Sequence, residues 1–265
     1  MKNAVYYSDL LLLTKGILSN VHTLVEYGAD GVELLMDGPL WDKMENVSHD
    51  LAIELQGLPF KYTIHPPAWD INLTSENKVI REGSFKEYVR AIHFASKIGA
   101  KHVVIHPGFS APVFDKRTAQ GRAKEAIQRL CEIAKPFGVK LAIENVGYNG
   151  SSIFTQEEFT LFLDDVENTA SYLIDTGHAH LDHWDLPRLI EEIKDRIIAF
   201  HLHDNHGTAD DHLPLGEGTI RWEKVLTAID DHASNAELIL EYAPNTPIEK
   251  LVEGKKLLHQ GKVFI

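Results

Sequence analysis

The chain has 265 residues, 44% of them hydrophobic and 25% charged, with a formal net charge of −13. That length allows one large domain or two small ones with a sizeable core, and the composition is that of a soluble globular protein. The negative charge argues against a generic nucleic-acid coat, although a local basic patch stays open.

Short β-type runs alternate with helical patterns along the whole chain. In order, strands are expected at residues 4–7, 31–35, 60–65, 102–106, 140–144, 171–175, 197–203 and 237–241. Helices are expected between and after them at 18–27, 49–56, 85–98, 117–137, 156–164, 186–194, 222–230 and 247–260. Thr155 precedes Gln156, Glu157 and Glu158 as an N-cap with acids in the first turn, and Pro247 suits a first turn. Gly28, Gly99 and Gly138 end helices just before strands, as left-handed caps do. Eight strand–helix units in about 250 residues is the size of a (β/α)8 TIM barrel. A doubly wound open sheet is the rival, weakened by the lack of a glycine-rich phosphate loop after the first strand. No linker or composition break is visible, so residues 1–265 read as one barrel domain of the α/β class.

Cys131 is the only cysteine, which excludes an intramolecular disulfide and a thiolate zinc site. It shares a helical apolar phase with Ile127, Leu130 and Ala134 and reads as core filler. The apolar run at 10–13 is too short for a signal peptide, and no stretch reaches membrane-spanning length. A cytoplasmic protein without a membrane partner is the expectation.

The fifteen histidines are many for this length. His65, His106, Glu144, Asp175, His201 and Glu241 each fall at the end of an expected strand. In a barrel those ends converge on one rim, where barrel enzymes place their chemistry. Any one of these residues alone would read as a hydrogen-bonded structural group or a salt-bridge partner. Six together, with few basic residues near them in sequence, ask for a divalent counter-ion such as zinc or manganese. Asp210-x-His212 offers two more ligand types on one loop, and with His178 it suggests a further metal site. Gly216-Glu217-Gly218 reads as a tight turn returning that loop to the helix at Trp222. His203 shares the face of His201 by strand alternation and is expected to support it. The histidines elsewhere lie on helices or loops and receive no role.

At His106-Pro107-Gly108, Glu144-Asn145, Asp175-Thr176-Gly177-His178, His201-Leu202 and Leu215-Gly216-Glu217-Gly218 the chain resembles the xylose-isomerase-like TIM-barrel superfamily. The resemblance runs from about residue 65 to 241. This superfamily joins sugar and sugar-phosphate isomerases and epimerases with the endonuclease IV-like abasic-site nucleases (AP endonuclease family 2). The isomerase branch implies one metal on Glu144, Asp175, His201 and Glu241, with the two glutamates as acid and base. The nuclease branch implies up to three zinc ions on His65, His106, Glu144, Asp175, His178, His201, Asp210, His212 and Glu241. All nine positions hold the required residue type.

Two functions follow from the resemblance. In the first, an isomerase/epimerase works through an enediolate on a small carbohydrate, with one to three divalent ions, zinc or manganese, as cofactor. His178 would hold a substrate oxygen, and Trp69, with Trp184 and Phe109, would stack on a sugar face. The second is a zinc phosphoesterase acting on abasic DNA or a small phosphoester, with Lys116, Arg117 and Arg122 as candidate phosphate contacts. The negative charge ranks nucleic acid second as a partner. A purely binding barrel would have lost ligands, and none is lost. A monomer and a homodimer are both compatible with such a barrel.

Overall fold

Eight parallel strands hydrogen-bond in chain order and close into a barrel. The computed structural model describes residues 3–13, 15–42 and 44–260. The strands are β1 (Val5–Ser8), β2 (Gly31–Leu35), β3 (Tyr62–His65), β4 (His102–Ile105), β5 (Lys140–Glu144), β6 (Ala170–Asp175), β7 (Ile197–Leu202) and β8 (Glu237–Leu240). β8 pairs back onto β1 through Val5 with Leu238 and Tyr7 with Leu240, which leaves no sheet edge.

Among the described residues the helices are α1 (Ile17–Glu26), α2 (Pro39–Asp42), α3 (Met44–Gly57), α4 (Lys78–Ile98), α5 (Lys116–Ala134), α6 (Gln156–Leu161), α7 (Thr176–Leu181), α8 (Leu186–Ile193), α9 (Trp222–His232) and α10 (Glu249–Gln260). Several differ from expectation, α2 being an unexpected turn of helix and α3 beginning five residues early, and for three of them the reason is identifiable. α4 begins seven residues early because the Asn77 side chain accepts from Val79 N and caps it; exposed Val79 and Ile80 break the apolar phase that marks helices in sequence. α5 stops at Ala134, and a single tighter turn (Lys135–Phe137) carries the chain to Gly138 at φ 68°. α7 was not expected at all and grows straight out of β6, with the Asp175 side chain accepting from His178 N. Thr155 caps α6 as expected, and Glu158 reaches back to complete a capping box. Cys131 is buried on α5, and burial pushes its thiol up to about 11, which makes it inert filler.

Strand alternation explains where the chemistry sits. Tyr6, Val104, Ala142, Leu173, Ala199 and Ile239 pack on one another inside the barrel as an apolar plug. Side chains two positions further along a strand point the same way, one layer nearer the C-terminal rim. Those positions are His106 after Val104, Glu144 after Ala142, Asp175 after Leu173, His201 after Ala199 and Glu241 after Ile239. His65 reaches this layer in the same way, two residues beyond Thr63. The plug thus forms an apolar floor on which six side chains of metal-ligand type converge. Among the described residues, no helix is long and apolar enough to cross a membrane.

Candidate metal centre

Glu144 lies at the centre of the rim and is fully buried. Its Oε2 faces His106 Nε2 at 2.9 Å and His65 Nε2 at 3.7 Å. Its Oε1 faces His201 Nδ1 at 3.2 Å and His178 Nδ1 at 3.5 Å. One carboxylate therefore separates two imidazole pairs. Glu241 Oε2 approaches His201 Nδ1 at 3.5 Å, and Asp175 Oδ2 approaches it at 3.8 Å. On the loop between β7 and α9, Asp210 Oδ2 sits 3.2 Å from His178 Nε2 and 3.4 Å from His212 Nε2. All nine ligand candidates from the sequence are thus brought to one site.

The backbone orients most of these imidazoles. His65 Nδ1 donates to Pro66 O at 2.7 Å, leaving Nε2 for the centre. His178 Nδ1 donates to Asn145 O at 3.0 Å, and His212 Nδ1 donates to Glu241 O at 3.1 Å. In both, Nε2 is then the nitrogen turned toward Asp210. A hydrogen bond on one ring nitrogen fixes the tautomer and frees the other as a ligand. His106 is different, because neither ring nitrogen has a hydrogen-bond partner although both are buried.

Two supporting residues stand out. Asp204 is fully buried and accepts from Asn205 N, Gly216 N, Ile220 N and Trp222 Nε1 at 2.8–3.1 Å. It pins both ends of the loop that carries Asp210 and His212, and Gly218 fits because a Cβ there would lie 2.3 Å from Asp204 Oδ1. His203 Nε2 shares a hydrogen bond with Asp175 Oδ2 at 3.0 Å, and its ring stacks on His212 at 3.8 Å with 8° between planes. The sequence pointed to this support from His203 but gave Asp204 no part. It also missed Glu33, which is buried inside the barrel with Oε1 3.0 Å from His201 Nε2.

The protonation pattern is that of a site balanced by protons. Burial alone would raise the Glu144 carboxyl, but the His201 and His106 imidazoles outweigh it and hold the group well below its ordinary value. Asp175 and Asp210 are held down by their histidines in the same way. Burial lowers the imidazoles, yet contact with Glu144 brings His65 up to about 9, and Asp210 brings His212 up to about 9. His178 and His201 are raised well above the ordinary value by their carboxylates, whereas burial dominates at His106 and lowers it.

The residues fit a divalent cation. His106 Nε2 and Glu144 Oε2 lie 2.9 Å apart without forming an aligned hydrogen bond, and Asp210 Oδ1 is likewise buried without a partner. Buried polar atoms of this kind are costly unless something else satisfies them. Three groups, His65 with His106 and Glu144, Glu144 with Asp175 and His178, and His178 with Asp210 and His212, each place their ligand atoms within 4.8 Å of one another. Mixed imidazole and carboxylate donors suit zinc or manganese.

Above the cluster opens a cleft of about 280 Å³ walled by Leu10, Leu35, Trp69, Phe109 and Tyr148. Among its described lining residues there is no lysine or arginine. Trp69 is 62% exposed at its mouth, whereas Trp184 is turned away from it and packs on Phe159 at 5.5 Å, so Trp184 is not a rim contact. Arg122 is engaged by Glu76 at 2.8 Å on the outer side of the barrel. A hollow of about 410 Å³ between α4 and α5 is lined by surface charges and contains none of the ligand cluster.

Known proteins share this architecture. An uncharacterized protein of Methanocaldococcus jannaschii is 34% identical over 222 residues, covering 81% of this chain and 82% of its own. A protein of Mycoplasmoides gallisepticum named as a probable endonuclease 4 is 26% identical, covering 93% of this chain and 88% of its own. The crystal structure of a D-tagatose 3-epimerase-like protein superposes with a TM-score of 0.84 at 23% identity, over 97% of this chain and 96% of that one. The profile of one family matches residues 21–260, which run from within α1 to the end of α10. With the closed barrel already established, that match makes the chain a member of the xylose isomerase-like TIM barrel family.

Proposed function

We propose that the protein is a metal-dependent isomerase or epimerase of a small sugar or sugar phosphate. The observation that carries this reading is the cleft itself. It is monosaccharide-sized, floored by carboxylates and imidazoles, walled by aromatic and aliphatic side chains, and, among the described residues, lined by no lysine or arginine. A polyhydroxylated neutral ligand suits such walls, because its hydroxyls can meet acceptors while its C–H face lies on an aromatic ring.

Glu144, Asp175, His201 and Glu241 would hold the divalent ion, zinc or manganese. When bound, the ion supplies Lewis-acid polarisation of a substrate carbonyl and of the hydroxyl beside it. Glu144 and Glu241 reach the cleft from β5 and from the end of β8. One carboxylate takes the proton from the carbon next to the carbonyl, and the other returns one from the opposite side. His178, fixed by Asn145 with its proton on Nδ1, accepts at Nε2 a hydrogen bond from a substrate hydroxyl. Trp69 and Phe109 cover the sugar and exclude water.

Glu144→Gln keeps the shape of the side chain and removes the base. Turnover on a panel of ketoses and aldoses should fall by about 10²–10⁴-fold while sugar binding persists. Turnover near wild type would remove this assignment.

A second reading, a zinc phosphoesterase, is favoured by one observation: Asp210 and His212 converge with His178 to form a third ligand group. Elemental content of the purified protein separates the two. About one ion per chain supports the isomerase, whereas two or three zinc ions with cleavage of abasic DNA would put phosphoester hydrolysis first.

A further inference from the structure

Glu33 belongs to none of the ligand groups and lies below them. It sits in the middle of β2, with apolar Val32 and Leu34 on either side, and it is fully buried. A lone buried carboxylate is unfavourable unless it is paired and hydrogen-bonded. One of its oxygens accepts a hydrogen bond, and the other faces an imidazole nitrogen at close range without an aligned hydrogen bond, neither of those two atoms having another partner. Thr63 Oγ1, directly across the register on β3, donates to Oε2 at 3.1 Å. Oε1 lies 3.0 Å from His201 Nε2.

The opposite nitrogen of that ring, Nδ1, is the one that faces Glu144, Asp175 and Glu241. His201 therefore differs from its neighbours. His65, His178 and His212 are each oriented by a neutral backbone carbonyl, whereas His201 is backed by a carboxylate.

We infer that Glu33 is a positioning residue for the metal centre: it holds His201 with the proton on Nε2 and the lone pair of Nδ1 directed at the ion, and it makes that imidazole the most strongly donating nitrogen in the site. A carboxylate behind a ligand imidazole raises its basicity and restrains its rotation, and loss of such a partner typically weakens metal binding by about 10–100-fold. Thr63 restrains the carboxylate in turn. The inference rests on the reading of the rim as a metal centre and is independent of which substrate the protein turns over.

The test uses metal alone, without sugar or DNA. Metal-stripped wild type, Glu33→Gln and Thr63→Val are titrated with cobalt(II) against a competing chelator, and the visible bands of the bound cobalt are recorded. Glu33→Gln should bind about 10–100-fold more weakly with altered band positions, while far-UV dichroism stays unchanged. Thr63→Val should shift both readouts in the same direction by less. Wild-type affinity together with wild-type bands in Glu33→Gln would overturn the role of Glu33. Failure of wild type itself to bind cobalt would overturn the metal centre instead.

If Glu33→Gln does not fold, Thr63→Val and the imidazole resonances of the zinc-loaded wild type decide. A His201 proton on Nε2 that exchanges slowly with water supports the inference, and a proton on Nδ1 overturns it.

Discussion

Gly177 offers a steric test of how the site is braced. It lies in the first turn of α7, and its backbone is not in the left-handed region, so alanine is conformationally acceptable there. In a helix interior, alanine would even stabilise by roughly 0.5–1 kcal/mol. The obstacle is the His203 ring: a Cβ on Gly177 would lie 2.0 Å from His203 Cε1, 2.5 Å from Nδ1 and 2.7 Å from Nε2. Ordinary contact begins near 3.4 Å, so the ring must retreat by 1.4 Å (3.4 less 2.0). It cannot do so freely, because it is fully buried, stacked on His212 at 3.8 Å and bonded to Asp175 at 3.0 Å. Overpacking of a tight site costs about 1–3 kcal/mol and exceeds the helix gain. Gly177→Ala should therefore lower the melting temperature by roughly 2–4 °C per kcal/mol of net loss. Metal affinity should fall about 10–100-fold as Asp175 loses its brace. Differential scanning fluorimetry and chelator competition read the two effects. A variant that melts at or above wild type and holds metal equally well would refute the idea that Gly177 is required by His203.

Four further outcomes follow from the same geometry. Asp204→Ala strands four donors, three of them buried and each of those worth about 1–3 kcal/mol when left unpaired, and frees the loop bearing Asp210 and His212. It should destabilise by several kcal/mol overall and reduce the metal content of a multi-ion form, with Asp204→Asn between it and wild type. The histidines raised to about 9 give the metal-free protein a pH signature. Their contribution to stability is fully present below the ordinary histidine value of 6.5 and is lost as pH rises toward about 9, so the melting temperature of the stripped protein should fall across that window. For the same reason, zinc binding at pH 7 should release more than one proton, measured by the dependence of binding enthalpy on buffer ionisation; release of none would contradict the proton-balanced site. Trp69→Ala removes an exposed ring at the cleft mouth, so stability should barely change while KM for sugar rises about threefold to tenfold at nearly constant kcat.

The rim was readable from sequence because a barrel turns linear position into depth. Once a run such as Val103-Val104-Ile105-His106 is recognised as a strand, alternation alone sends Val104 and His106 inward, and the strand end sets the layer. The same step locates Glu144, Asp175, His201 and Glu241 without knowledge of their separation in space. It works less well where a residue's role depends on what another part of the chain brings to it. Asp204 looks like one polar residue among several in His203-Asp204-Asn205, and its meaning lies in amides and an indole supplied by the returning loop up to Trp222. α4 escaped its true start because Val79 and Ile80 face solvent at its first turn.

Glu33 marks the limit most sharply, because the clue was present and pointed elsewhere. A carboxylate in the middle of Gly31-Val32-Glu33-Leu34-Leu35 cannot stay ionised in an apolar strand without partners at its own depth. On an inward-facing position those partners must come from other strands. Thr63 is the adjacent one by register, and His201 is the imidazole that reaches down from the rim layer above. A charge that interrupts a barrel strand one layer below a cluster of ligands is thus better read as part of the machinery that orients those ligands than as an irregularity in the strand.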